Sequence, residues 1–182
     1  MYFLSHLAHK IFYKIRKKIN QVLILLFVKC NQVNLLTLLF ILNFKKIKKI
    51  EPKNNIKHRV IVLTKSGGLD DLICSQKKYN KNILFVNGSR FFIKQIFYSI
   101  FNITKEDELK KFSKKEINTF KREYINFLIK FVKQLKKNYN FEAFIGFNFE
   151  YFAEIDLHKV CSELKIQFLL LYKEYVTSEL DK

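Results

Sequence analysis

Arginine is scarce in a chain otherwise crowded with positive charge. Of 34 basic residues in 182, only Arg16, Arg59, Arg90 and Arg122 are arginine; against 16 acidic residues the formal net charge is +18. Charge of that size suits phosphate backbones, because each neutralised phosphate releases counterions. Arginine, however, is the side chain that reads guanine edges and stacks on bases. The 20 phenylalanines fall at helical or strand spacing, with no RNP-like string of exposed aromatics. Lysine with abundant Asn, Ile and Phe fits an A/T-rich coding bias, and a nucleic-acid partner is disfavoured.

Other signatures are missing too. The three cysteines, Cys30, Cys74 and Cys161, form no CxxC pair and leave one over, which argues against a disulfide framework and a structural zinc site. A reducing, cytoplasmic setting follows. There is no GK[ST] phosphate loop and no GxGxxG dinucleotide fingerprint. A run of about 20 apolar residues, as a membrane span needs, is absent, and no small-residue cleavage site marks a signal peptide.

What the amino terminus does have is an alternation of grease and lysine. Leu4, Leu7, Ala8, Ile11, Ile15, Ile19 and Val22 recur every three or four positions, with Lys10, Lys14, Lys17 and Lys18 between them, the pattern of a basic amphipathic helix. Two apolar runs follow, 22–28 and 35–42, split by Lys29, Asn31, Gln32 and Asn34. Neither run is long enough to span, and a lysine at mid-bilayer costs about 3 kcal/mol. Positive clusters at 14–18 and 45–49 flank both runs, so a single span would strand one of them. A segment lying on an anionic, inner-leaflet surface satisfies both clusters; the alternative is a helical hairpin packed on the rest of the protein. The only proline, Pro52, sits in a polar stretch that ends the helical pattern. The expected division is a helical segment over 1–50, a linker over 51–58 and an α/β domain over 59–182.

After residue 58 short β-branched runs alternate with helical patterns. Strands are expected at 59–64, 82–86, 142–147 and 166–172. Helices are expected from Asp71, capped by Asp70, from Arg90, from Ile117 and from Tyr151. This rhythm predicts a Rossmann-like α/β fold: a parallel sheet of about four strands with flanking helices. In such sheets ligands bind beyond the carboxyl ends of the strands. The polar oddities of the chain, residues 66–71, 87–90, 148–151 and 173–174, all lie at such ends.

Each has a plain reading beside the functional one. Ser66-Gly67-Gly68 is a turn that could also let backbone approach a ligand, and Asp70 and Asp71 would repel an anion, favouring either capping or a hydroxyl-bearing ligand. Asn148 and Glu150 suit a helix cap and its dipole; beside Tyr151, the Glu150 carboxylate would also suit a sugar and could deprotonate its hydroxyl. Lys173 and Glu174 end a buried strand, where a charged pair needs solvent or a partner. Glu154, His158 and Cys161 share a helical face, but three candidates with a core-suited cysteine make a weak metal set.

The stretches 63–71, 146–154 and 171–175 resemble the amino-terminal half of bacterial two-domain, GT-B-like glycosyltransferase-type proteins of surface-carbohydrate biosynthesis, over residues 59–175. That resemblance implies acceptor binding in this half and a nucleotide-sugar donor in a second Rossmann-like half. Asp70, Asp71 and Glu150 are then the candidate bases, and Ser66, Gly67, Gly68, Asn148, Tyr151, Lys173 and Glu174 the cleft lining, with no metal. A sugar or lipid-linked acceptor, an anionic membrane surface and a separate donor-binding chain are the implied partners. The chain ends at Lys182, after the fourth strand, so little or no transferase activity is expected of it alone.

Overall fold

The computed structural model describes residues 2–50, 55–64, 68–76, 82–147 and 152–171, with backbone alone for 2–10, 68 and 152. The chain divides into two compact units that do not follow one another in sequence. One comprises Met1–Leu42 with Phe91–Asn138, the other Asn43–Arg90 with Tyr139–Lys182.

The first unit is helical. Helix α1 (Tyr2–Lys29) and helix α2 (Val33–Leu42) form a hairpin, joined where Asn31 turns left-handed at φ 54°. Helix α4 (Arg90–Phe101) and helix α5 (Lys114–Tyr139) supply the other walls. α5 buries Tyr124, Phe127, Leu128, Phe131, Val132 and Leu135, the stripe that a 3.6-residue period places on one side. Phe40 of α2 is fully buried, its ring centroid 4.8 Å from Phe92 and 5.5 Å from Phe131. Thr37 beside it is buried at no hydrogen-bond loss, because its hydroxyl donates to the Val33 carbonyl at 2.8 Å.

Among the described residues the second unit holds a five-stranded mixed sheet. β2 (His58–Val62), β3 (Ile83–Asn87), β4 (Ala143–Gly146) and β5 (Gln167–Leu170) are the parallel strands that the periodicity predicts. The fifth, β1 (Lys45–Lys46), was not expected: it pairs antiparallel with β3 at the sheet edge. Two exposed lysines there leave a short, charged edge that discourages further strand pairing. Residues 43–50, placed in the helical segment by their sequence pattern, thus belong to the sheet unit, and Ile47 and Ile50 are buried in its core.

Helix α3 (Gly68–Gln76) puts Leu72 and Ile73 into that same cluster with Val60, Val62, Phe85 and Ile145. Side chains alternate across a strand, so Phe144 lies on the other face, with Phe168 paired to it in register. Helix α6 (Phe152–Glu163) approaches that face, its His158 ring edge-on to Phe168 at 5.4 Å. α3 and α6 therefore cover opposite faces of the sheet, as right-handed crossovers require. Ile61, Val62 and Phe144 are fully buried, which is why these strands read as continuous apolar runs.

Candidate functional site

The parallel strands run β3-β2-β4-β5 across the sheet. From β2 the chain steps outward to β3, then returns past β2 to β4, so the connections diverge between β2 and β4. Such a switch point opens a crevice at the carboxyl ends of the two strands, because their crossovers leave on opposite faces. Val62 registers with Ile145, and the Leu63 amide donates to the Ile145 carbonyl at 2.8 Å, holding the two strand ends side by side.

The candidate residues distribute around this edge as follows. After β2, α3 begins at Gly68, so Asp70 and Asp71 lie in its first turn, both exposed. Asp70 is therefore not the residue before the helix, as expected, but inside it. Acid in a first turn interacts with the helix dipole as well as an N-cap does with the free amides, so an Asp-Asp pair does not set where a helix starts. Ser66 and Gly67 lie outside the described residues, as do Asn148, Glu150 and Tyr151 after β4 and Lys173 and Glu174 after β5.

After β3 the geometry is complete. The Asn87 side chain accepts from the Ser89 amide at 2.9 Å, Ser89 is left-handed at φ 46°, and the buried Gly88 donates its amide to the Val62 carbonyl at 2.9 Å. This turn delivers Arg90, whose guanidinium forms an ion pair with Glu154 of α6. The Arg90 side chain is 19% exposed and that of Glu154 only 4%. Because β2 lies between β3 and β4, this pair ties the segment following β3 to the helix following β4. A paired charge with so little water around it is held firmly, since freeing either partner would leave the other desolvated.

One helical turn supplies a second buried acid: Asp156 is 1% exposed, with Lys159 at 3.7 Å. The pattern of the sequence offers Glu154 as one member of a weak metal set. The usable signal was its place beside the buried positions Ala153 and Leu157, where an acid needs a cation. Glu154, His158 and Cys161 take three separate environments. Glu154 meets Arg90, His158 is exposed against Phe168, and Cys161 is buried, where desolvation pushes its thiol up to about 12.

At the opposite, amino edge of the sheet His58 and Glu142 contact at 2.8 Å, both exposed. That pair fastens β2 to the start of β4 and lies at the end where open parallel sheets do not bind ligands. In the helical unit an open hollow of about 520 Å³ is lined by Lys114, Lys115, Asn118, Thr119 and Arg122. All five are exposed side chains of α5, a solvated cationic flank rather than a formed pocket.

At the carboxyl edge, then, stand two exposed carboxylates, a backbone turn and a shielded Arg–Glu tie, around the point where the strand order reverses. No family model, no curated protein and no solved structure matches this chain.

Proposed function

We propose that the protein holds a hydroxyl-rich ligand of the sugar class at the carboxyl edge of its sheet, as the acceptor-side half of a glycosyltransferase-like protein of surface-carbohydrate biosynthesis. The observation that carries this reading is the reversal of strand order between β2 and β4, with Asp70 and Asp71 exposed in the first turn of the helix that leaves it. Adjacent carboxylates accept hydrogen bonds from vicinal hydroxyls and repel phosphate, so they favour an acceptor over a nucleotide. Either could serve as a general base once a hydroxyl lies within hydrogen-bond reach. The Arg90–Glu154 pair supports the reading by fixing one rim of the crevice. A nucleotide-sugar donor would be held by a separate half or chain.

Titration of the isotope-labelled protein with glucose, N-acetylglucosamine and an alkyl glucoside tests the proposal. Amide shifts should move in residues 63–71 and 146–154, and Asp70→Asn with Asp71→Asn should weaken them while leaving the rest of the spectrum in place. Shifts confined to other regions would dispose of the carbohydrate reading. The second reading, a non-catalytic module that docks on a membrane, is favoured by a different observation.

A further inference from the structure

That observation is the side of α1 opposite its buried residues. Ile24 and Val28 are the buried hydrophobic residues among the described side chains of α1. Ile11, Ile15, Ile19, Val22 and Leu26, spaced four, four, three and four apart, remain 49, 50, 53, 65 and 52% exposed. At 100° per residue these five form one stripe on the opposite side of the helix from Ile24 and Val28. α2 adds Leu35, Leu38 and Leu42, which are 46, 48 and 76% exposed. The hairpin therefore packs on the helical unit through the later turns of α1 and leaves the stripe in water, while residues 11–19 are exposed on every side, Phe12 and Tyr13 included. Scattered exposed leucines need no explanation, but a continuous stripe does.

Charge identifies what covers it. Lys14 and Lys18 border the stripe on one side and Arg16 on the other, all exposed, and residues 1–50 contain ten Lys or Arg and no Asp or Glu. A second copy of the chain would bring two uniformly positive faces together, a like-charge contact that disfavours association. Nucleic acid would answer the charge but leave the stripe in water. An anionic phospholipid surface answers both, taking the apolar side chains between its acyl chains and the lysines among its headgroups.

We propose that the outward face of α1, extended by α2, docks flat on an anionic phospholipid bilayer. No helix among the described residues is long and apolar enough to cross a membrane, and Lys14, Arg16, Lys17 and Lys18 interrupt any span through α1. From Ile11 to Leu26 the stripe is roughly 22 Å long, an interfacial helix rather than a transmembrane one. The inference is independent of the sugar reading.

The test is flotation of the full chain with phosphatidylcholine vesicles, with and without phosphatidylglycerol. The protein should float with the anionic vesicles, and high salt should weaken that binding. Ile15→Glu/Ile19→Glu should weaken it by about tenfold or more through the apolar contact, and Lys14→Glu/Lys18→Glu by a similar factor through the charge. Both variants change exposed residues and should melt with the wild type. Anionic vesicles that leave the wild type at the bottom of the gradient would overturn the proposal. So would binding that survives Ile15→Glu/Ile19→Glu, or a lipid-free dimer that this variant converts to monomer.

Discussion

Asn31, Asn102, Asn140 and Lys165 have φ of 54, 53, 47 and 55°, and each stands just beyond a helix: α1, α4, α5 and α6. At three of these ends the amide of the next residue closes the turn, Gln32 donating to Phe27 at 2.7 Å, Ile103 to Tyr98 at 3.1 Å and Ile166 to Cys161 at 2.8 Å. This is the left-handed cap that glycine usually provides. With four glycines in the chain, asparagine takes that place three times, because its short side chain tolerates the left-handed region. Lysine has no such tolerance. Lys165→Gly removes a left-handed cost of about 1–2 kcal/mol and adds about 0.5–1 kcal/mol of backbone entropy. It should raise stability by about 0.5–1 kcal/mol, roughly 2 °C in Tm for a chain this size. Asn31→Gly should gain less. Thermal melts of the two variants check the ordering, and a Lys165→Gly protein that melts below wild type would contradict the cap. The asparagine stops were legible as residue types; the Lys165 stop was not, since nothing about lysine announces a positive φ.

At the scale of elements, continuous apolar runs closed by turn residues found β2 to β5; β2, β3 and β4 are buried through their centres and have no polar side to blur the pattern, whereas the edge strand β5, expected to be buried, alternates between exposed and half-buried. β1 escaped notice: two lysines carry neither period nor hydrophobicity, and only the β3 edge makes them a strand. Periodicity also showed that α1 has an apolar side without showing what that side faces. The helix expected from Ile117 begins three residues earlier, as α5 at Lys114, because Ser113 and Glu116 form a capping box with contacts of 2.7, 2.8 and 3.3 Å. The turn before it is a carboxylate device of the same kind. The hydroxyl and amide of Thr104, helped by Lys111 and the Lys105 amide, hold the Glu108 carboxyl at about 2 against an ordinary 4.5. A depressed carboxylate stabilises its turn above the ordinary value, and that contribution fades as pH falls from about 4.5 toward 2. The Thr104 amide should therefore titrate with a midpoint near 2 in NMR spectra, and Thr104→Val should move the midpoint of Glu108 upward. A wild-type midpoint near 4.5 would mean that the turn does not hold the carboxylate.

For the whole molecule, the parallel sheet and the polar character of its carboxyl edge could be read from the alternation of strands and helices, but strand order could not. The Arg90–Glu154 pair joins residues far apart in sequence and exists only because β3 and β4 flank β2. Nor could sequence show that Phe91–Asn138 forms one unit with the amino-terminal hairpin, since apolar stripes on four helices do not name their partners. Net charge was legible at once, and it acts on the molecule as a whole. An excess of +18 repels itself in the compact state more than in the expanded one. Salt shortens the reach of that repulsion, from tens of ångströms at about 0.01 M to about 10 Å at 0.1 M. It also weakens surface pairs such as Lys111–Glu108, but solvent already screens these. Arg90–Glu154 is too buried to be screened much. Repulsion among the unbalanced lysines should dominate, so Tm should rise by several degrees between about 0.01 M and 0.3 M sodium chloride. Sodium chloride and a sodium salt of a bulkier anion should act alike at equal ionic strength if screening is the cause. A Tm that is flat or falls with salt would show that pairwise attractions, not the net field, set the electrostatic balance.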